Sequence, residues 1–211
     1  MNLIYGDFKI AASELEQNLY TNGGRVANTI ELTNIAYEVS SPHLEDLIPH
    51  QPWANVEFED RMTTGYRNPG NAWKELPEVW EPMMEEHKGS DGLIYKSFSY
   101  TYNERMLHQL GDILQELRYN PNSREAYLAV WNSTVDPKRL SRRRVPCTLG
   151  YQFLIRGGKL NVTYIQRSCN FPKHYQDDCY LALKLQIWMA KGLGIPIGGF
   201  SHWVGSLHKF I

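Results

Sequence analysis

The 211-residue chain is poor in cysteine: it has three, and their positions match neither a CxxC motif nor a disulfide framework. It contains no apolar run approaching the roughly 20 residues that cross a bilayer, and no signal-peptide pattern opens it. These absences predict a cytoplasmic protein with reduced thiols and no association with membranes.

An excess of charge of either sign is also missing. The 22 basic and 23 acidic residues leave a net charge of −1, so no broad basic surface indicates nucleic acid and no acidic tail indicates disorder. No repeat or low-complexity linker divides the chain, and its length is enough for one domain with a sizeable core. We therefore expect a single domain over 1–211, with no separate domain in residues 1–88.

The sequence contains two clear helical patterns. Apolar residues at helical spacing predict an amphipathic helix over 103–118, and residues 178–192 are apolar around most of a helical circumference, which predicts a buried helix. Strands and helices mixed without regular alternation indicate the α+β class. The other expected elements are a short helix over 11–20, strands over 26–39 and 126–131, short helices and loops over 49–92, and a short final strand after Gly199.

The most informative segment is a β-hairpin. Two β-prone runs flank Gly157 and Gly158, and a Gly-Gly pair is a strong signal for a two-residue hairpin loop. Counting outward from that loop along both strands places Cys147 opposite Ser168.

The same count places Arg167 opposite Thr148, so a guanidinium lies beside the Cys147 thiol. A nearby positive charge lowers the pKa of a thiol and favours thiolate, the reactive form. The hairpin therefore predicts a nucleophile next to an anion-binding group. The alternative is that Cys147 is a small buried hydrophobic residue, the commoner role of a lone strand cysteine.

Six short motifs in order resemble the thymidylate synthase superfamily, with site residues most similar to deoxycytidylate and cytidylate hydroxymethylases. The resemblance is good from about residue 89 to 211 and weak before that. It implies one thymidylate synthase-like domain, with a mixed β-sheet, a buried central helix and a homodimer formed through the sheet. The motifs are Asn-Pro-Asn-Ser-Arg (120–124), Val-Trp-Asn (130–132), Val-Pro-Cys (145–147), Tyr-Gln-Phe (151–153), Gln-Arg-Ser (166–168) and Gly-Ser-Leu-His (205–208).

The resemblance implies transfer of a one-carbon unit to C5 of a pyrimidine nucleoside monophosphate. Cys147 would attack C6 and form a covalent adduct, which makes C5 nucleophilic. Arg167 and Ser168 match positions that hold the nucleotide phosphate, and Arg124 matches an arginine that reaches the partner subunit's phosphate. Glu125 stands where the family has a second arginine. The implied cofactor is 5,10-methylenetetrahydrofolate, with no metal.

Base choice depends on Asp178, eleven residues after Arg167. Thymidylate synthases have Asn at this position, paired with uracil, and the cytidylate hydroxymethylases have Asp. A carboxyl group pairs with N3 and the amino group of cytosine, whereas a buried carboxylate against a uracil carbonyl is costly. Thr148 after the nucleophile also resembles the hydroxymethylases. The alternative is that Asp178 or Asp177 caps the following helix.

Other site residues follow from the resemblance with alternatives beside them. Glu57 is the candidate general base at C5, with Glu59 as its rival. Trp80 resembles the aromatic cofactor wall and Tyr95 the active-site tyrosine, although either could be ordinary core. His208 matches a histidine that binds the sugar hydroxyl.

Departures from the family concentrate on the cofactor side. Asn170 replaces an Asp that contacts the pterin, Lys173 and His174 replace Leu-Gly, and Phe210 replaces a sugar-binding Tyr. The run 142–144 of three arginines is interpreted as a solvated segment. The main hypothesis is a cytidine nucleotide hydroxymethylase. The alternatives are a thymidylate synthase or C5-methyltransferase acting on dUMP or dCMP, and a non-catalytic nucleotide- or RNA-binding relative.

Overall fold

Nine strands and five helices make up the regular structure of the described residues in this computed structural model, which covers 3–65, 67–137 and 144–211. The helices are α1 (Phe8–Asn22), α2 (Trp53–Met62), α3 (Pro77–Trp80), α4 (Tyr102–Tyr119) and α5 (Phe171–Leu193). The strands are β1 (Leu3–Tyr5), β2 (Gly24–Val26), β3 (Thr29–Val39), β4 (Glu85–Lys88), β5 (Ile94–Ser97), β6 (Tyr127–Ala129), β7 (Thr148–Arg156), β8 (Lys159–Asn170) and β9 (Ile197–Phe210).

Seven of these strands form one mixed sheet in the order β1-β3-β9-β8-β7-β6, with β2 also paired to β3. The pairs β1/β3 and β8/β9 are parallel and the others are antiparallel. The strands β4 and β5 form a separate hairpin. The α+β class is therefore confirmed, and strands from the divergent N-terminal part, β1 to β3, belong to the same sheet as the hairpin β7–β8.

The sheet and the helices α1, α4 and α5 enclose one hydrophobic core. Along β8, Leu160, Val162 and Tyr164 are buried while the residues between them are half-buried. This period of two directs one face of the strand to the core. No helix in the described ranges has both the length and the apolar character needed to cross a bilayer.

Helix α5 is longer than predicted. It begins at Phe171, seven residues before the expected start, because the polar residues of its first turns hide the helical pattern. Its end agrees with the prediction: Gly194 adopts φ 70° as the C-cap, a conformation that favours glycine. Because Asp177 and Asp178 lie inside the helix, the interpretation of either as its N-cap is wrong.

The other elements agree with the sequence more closely, except for two strands. The single strand expected over 26–39 is instead a hairpin of β2 and β3 with its turn at Ala27 and Asn28. Helix α4 covers the predicted 103–118 and starts with a capping box between Thr101 and Glu104. The last strand, expected to be short, is the 14-residue β9 between β3 and β8. Glycines and polar residues interrupt the apolar pattern of this segment, so the sequence did not reveal a long strand paired on both sides.

Strands β8 and β9 approach each other so closely beside Arg167 that position 205 on β9 requires glycine. A Cβ at Gly205 would lie 2.8 Å from the carbonyl oxygen of Arg167, closer than side chains pack. We expect Gly205→Ala to destabilise the protein by about 1–3 kcal/mol because the strands must move apart. Urea unfolding measures this change.

The matched control is Gly111→Ala. Gly111 is exposed within α4 and a Cβ there meets no atom within 4 Å. Alanine is the better helix former, so this substitution should stabilise the protein by up to about 1 kcal/mol. Equal effects at the two positions would contradict the close approach of β8 and β9.

Candidate active site

A cavity of about 330 Å³ lies where β8, β9 and the start of α5 meet α2 and the segment before α4. This volume suits a small-molecule site. Most of the residues singled out from the sequence line it. They are Glu57, Trp80, Cys147, Arg167, Ser168, Asn170, Asp178 and His208.

Cys147 lies opposite Arg167 and not, as expected, opposite Ser168. The backbone N–H of Arg167 donates to the carbonyl of Cys147 at 2.9 Å, and Thr148 pairs with Gln166. A bulge between Thr148 and Gly150 shifts the register by one residue. Counting from the turn could not detect a bulge that forms near the far end of the strand.

The guanidinium of Arg167 is held in place by backbone groups. Its Nε donates to the carbonyl of Pro146 at 2.9 Å and Nη2 to the carbonyl of Val145 at 3.2 Å. Nη2 also lies 3.7 Å from Sγ of Cys147. Because a guanidinium has five N–H donors, donors remain for an anion after these contacts.

The pKa of Cys147 is raised, in contrast to the expected lowering. Burial of the half-buried thiol is the largest cause, and Asp178 adds to it. Arg167 and Arg144 oppose the shift without reversing it. Cys147 is therefore a thiol at neutral pH, and its proton has to leave before the sulfur can act as a nucleophile.

Within the described part of the chain, Asp178 accepts hydrogen bonds on one oxygen only. Gln166 Nε2 donates to Oδ2 at 2.8 Å and the Cys169 thiol donates weakly to the same oxygen at 4.0 Å, while Oδ1 accepts no hydrogen bond there. Burial raises the pKa of Asp178 to about 6, and the Gln166 hydrogen bond and Arg61 partly oppose this. The cavity thus contains a carboxyl group that gains and loses a proton near neutral pH.

Glu57 lies on α2 in an ion pair with Arg61, whose Nε donates to Oε1 at 2.8 Å. The Arg61 guanidinium also lies 3.8 Å from the centre of the Tyr102 ring. Burial raises the pKa of Glu57, and Arg61 opposes it. Glu59 is exposed and does not line the cavity. Sequence reasoning missed Arg61, although its spacing of four from Glu57 on a helix was a signal.

Tyr95 is not in the cavity, and this expectation is corrected. It lies on β5, is half exposed, and donates a hydrogen bond to Asp91 in the adjoining turn. Tyr100 and Tyr102 line the cavity instead. Thr148 does not line it either, since its hydroxyl is buried 3.2 Å from the hydroxyl of Tyr102.

An aromatic wall forms the opposite side of the cavity. Trp80 stacks on Trp53 with ring centres 5.3 Å apart, and the Arg144 guanidinium lies 5.3 Å from the centre of the Trp80 ring. Arg144 is exposed, as expected for a solvated run, but it also lines the cavity. Arg142 and Arg143 lie outside the described residues.

The remaining expected contacts divide between the cavity and the surface. Asn170 is opposite His208 across the β8–β9 ladder, so both stand at the same level of the cavity. Arg124 is exposed outside the cavity, and only its carbonyl is bonded, to Gln152. Phe210 is exposed at the end of β9. The single chain thus does not bring Arg124 to the site.

Asp177, next to the base-recognition candidate, ties α5 to the loop before α2. It accepts a hydrogen bond from the backbone N–H of His50 at 2.7 Å and lies 2.8 Å from Nδ1 of the same residue. His174, one turn earlier, lines the cavity, and burial lowers its pKa. His174 occupies one of the positions where the sequence departs from the family.

Comparison with known proteins decides the family. The thymidylate synthase family profile matches residues 57–210. The chain belongs to the thymidylate synthase family. Among its relatives, a putative thymidylate synthase of Methanocaldococcus jannaschii is 32% identical over 178 residues, covering 74% of this chain and 79% of that protein.

Other similar proteins differ in how much of their length is matched. Thymidylate synthase of Listeria monocytogenes is 26% identical, covering 66% of this chain and 40% of that protein. Among solved structures, thermostable thymidylate synthase A from Bacillus subtilis superposes with a TM-score of 0.71 at 17% identity, covering 97% of this chain and 80% of that chain. This likeness confirms the thymidylate synthase fold.

The aromatic wall fits the folate that the family uses. The indole nitrogens of Trp73 and Trp80 are buried with no hydrogen-bond partner in the described structure. These N–H groups are costly without an acceptor, and a wall of indole rings suits packing against a flat heterocycle. Trp80 is thus suited to pack against the cofactor, and Asn170, at the position that the resemblance assigns to pterin contact, lines the same cavity.

We expect Asp178→Asn to stabilise the protein at alkaline pH. The pKa of Asp178 is higher in the folded chain, so its contribution to stability is fully present below the unfolded pKa of about 4 and is lost as pH rises through about 6. The variant should gain up to about 3 kcal/mol at pH values of about 8 and nothing at about 4.

Urea unfolding at the two pH values measures this difference. Asp91→Asn is the control, because Asp91 is exposed and hydrogen bonds lower its pKa, so that variant should show no gain at alkaline pH. If Asp178→Asn raised the free energy of unfolding equally at both pH values, burial of an ionising carboxyl could not be the cause.

Proposed function

We propose that this protein transfers a one-carbon unit to C5 of a cytidine nucleoside monophosphate, in the manner of CMP and dCMP hydroxymethylases, through a covalent bond between Cys147 and C6. The observation that carries the proposal is Asp178, a carboxyl with a pKa of about 6 in the same cavity as Cys147 and Arg167. Family membership supports the coarser part, one-carbon transfer to a pyrimidine.

The nucleotide would bind with its phosphate at Arg167 and Ser168. The fixed guanidinium of Arg167 has donors left for phosphate oxygens. His208 would hold the sugar. Arg124 is exposed and its guanidinium makes no contact in the described residues, so it is free to reach the phosphate bound to the second subunit of a homodimer.

Asp178 would read the Watson–Crick edge of the base. Cytosine offers an acceptor at N3 and a donor at its amino group, and a protonated carboxyl offers a donor and an acceptor to match. An ionised carboxylate would repel the uracil carbonyl at C4. The raised pKa of Asp178 makes the protonated form accessible near neutral pH.

The chemistry then follows from the side chains in the cavity. The Cys147 thiol loses its proton and the sulfur bonds to C6, so that the C5–C6 double bond supplies an electron pair at C5. When bound, 5,10-methylenetetrahydrofolate supplies the one-carbon unit that C5 attacks. Glu57 takes the proton from C5 through a water, and its raised pKa suits that task. After the transferred carbon has separated from tetrahydrofolate, water adds to the exocyclic methylene group of the base and Cys147 departs, which restores the C5–C6 double bond and gives the hydroxymethyl product.

A second candidate is a thymidylate synthase acting on dUMP. Its support is that the relatives from Methanocaldococcus jannaschii and Listeria monocytogenes are named as thymidylate synthases, the first as a putative one. The two candidates differ at Asp178, where a carboxyl stands in place of the family's uracil-pairing Asn.

Release of tritium from C5 of the nucleotide tests the function. With methylenetetrahydrofolate present, we expect release from tritiated CMP or dCMP, slower release from dUMP, and at least about a thousandfold loss of release for Cys147→Ala, since that variant lacks the nucleophile. Release from dUMP alone would favour the second candidate. No release from any substrate, with nucleotide binding intact, would favour a non-catalytic relative.

The assignment of the general base is tested by a matched pair on α2. Glu57→Gln should reduce the rate of tritium release by about a hundredfold or more with little change in nucleotide KM, because it removes the proton acceptor. Glu59→Gln changes an exposed carboxylate two residues away and should leave the rate unchanged. The reverse result would assign the role to Glu59.

A further inference from the structure

A chain of hydrogen bonds runs from Asp178 into the hydrophobic core. Gln166 donates from Nε2 to Asp178 Oδ2 at 2.8 Å, and its Oε1 lies 2.8 Å from Nε2 of His202. Nδ1 of His202 lies 2.9 Å from the hydroxyl of Tyr37. Gln166, His202 and Tyr37 are 0%, 1% and 2% exposed. We call Gln166, His202 and Tyr37 the buried relay.

Each hydrogen bond of the buried relay has a defined donor and a defined acceptor. Burial lowers the pKa of His202 to about 3, so the ring is neutral, with one nitrogen that donates and one that accepts. Gln166 uses its amino group on Asp178, so its carbonyl accepts from Nε2–H of His202. The other ring nitrogen then accepts from the hydroxyl of Tyr37. The Tyr175 hydroxyl oxygen, 2.9 Å from that of Tyr37, is a second acceptor for the same proton. Because an imidazole nitrogen is a more basic acceptor than a phenol oxygen, the single proton of Tyr37 goes to His202 Nδ1.

This direction makes the two oxygens of Asp178 different. Oδ2 accepts the hydrogen bond from Gln166, so a proton on the carboxyl resides on Oδ1, which has no partner in the described residues. The side chain lines the cavity. A protonated Asp178 therefore offers a donor at Oδ1 and an acceptor at Oδ2, in that order.

Without such a constraint a carboxylic acid is not selective between the two bases. Its proton can reside on either oxygen, so one arrangement pairs with the acceptor–donor edge of cytosine and the other with the donor–acceptor edge of uracil. Selectivity requires that one arrangement be excluded. The reverse arrangement at Asp178 would need the amide of Gln166 to flip and the proton of His202 to change nitrogen.

We infer that Gln166 and His202 are positioning residues for base specificity, and that the buried relay orients the proton of Asp178 so that the site accepts cytosine and rejects uracil nucleotides. The inference rests on the proposed function and adds the device that enforces it. Oδ1 would donate to N3 of cytosine, and Oδ2 would accept from the amino group. Uracil would bring N3–H against a donor and O4 against an acceptor.

The sharpest test is Tyr37→Phe, which removes one hydroxyl outside the cavity and keeps the ring. His202 Nδ1 then keeps only the weak contact with the Cys179 thiol, 4.0 Å away, so the tautomer of His202 and the Gln166 amide are held less firmly and can reverse. We expect the preference for CMP over UMP, measured as the ratio of dissociation constants by calorimetry and of kcat/KM by tritium release, to fall about tenfold. His202→Phe, which also keeps a ring stacked on Tyr164, should lower it further.

Tyr5→Phe is the control. Tyr5 packs edge-on against Tyr37 with ring centres 5.8 Å apart but lies outside the relay, so the preference should not change. If Tyr37→Phe weakens binding of both nucleotides equally and keeps the ratio, the residue is only structural and the inference is wrong. If His202→Phe fails to fold, Tyr37→Phe decides the question.

The outcomes also separate the inference from the proposed function. A native protein that prefers UMP or dUMP would refute the proposed function and the inference together. A native protein that prefers CMP or dCMP, with an unchanged ratio in Tyr37→Phe, would refute the inference alone. Asp178→Asn, which removes the titrating carboxyl, should lose the cytosine preference whatever the relay does.

Discussion

Strand β8 is hydrogen bonded on both sides, and the site depends on that constraint. It pairs with β7 along one edge and with β9 along the other. Four of its residues over a span of five act in the proposed site: Gln166, Arg167, Ser168 and Asn170. A strand held on one edge alone could twist or slip, and such a slip would move every one of these side chains. The double pairing instead sets them against Cys147, directly before β7, and His208 on β9.

Burial, more than charge, sets the chemistry of the cavity. The pKa values of Cys147, Glu57 and Asp178 are all raised, and desolvation is the largest cause for each. Nearby arginines oppose each shift without cancelling it. The resulting site favours neutral acids that are ready to exchange protons, which suits a reaction in which protons leave a thiol and a carbon atom.

Much of this could be predicted from the sequence, and the failures have physical causes. The Gly157–Gly158 turn and the spacing from Cys147 to Arg167 were enough to predict a thiol beside a guanidinium. The bulge near Thr148 was not predictable, because the tertiary contacts around that end of the strand decide it. The buried relay was also hidden, since Tyr37 and His202 are far apart in sequence.

The cofactor side was the hardest to predict. Tyr95 matched a family position by spacing, but a short hairpin of its own places it at the surface. Arg144 belonged to a charged run expected to be solvated, and it is exposed, yet its guanidinium also lies over the Trp80 ring at the cavity. Both residues lie where the resemblance to the family is weak, so local sequence carries little information on which side chains reach the site.

Asp177 and Asp178 show how one helix serves two partners. Adjacent residues on an α-helix point about 100° apart, so one carboxyl reaches the loop that leads to Glu57 and the other reaches Gln166. Inserting or deleting one residue between Arg167 and this pair would rotate the helix by that angle, so that one carboxyl would face the other's partner and the second would face neither. The spacing of eleven residues between Arg167 and position 178 therefore fixes which way the side chain at 178 points. A substitution at position 178 changes the chemistry of the site, whereas a change in the spacing would remove the side chain from it.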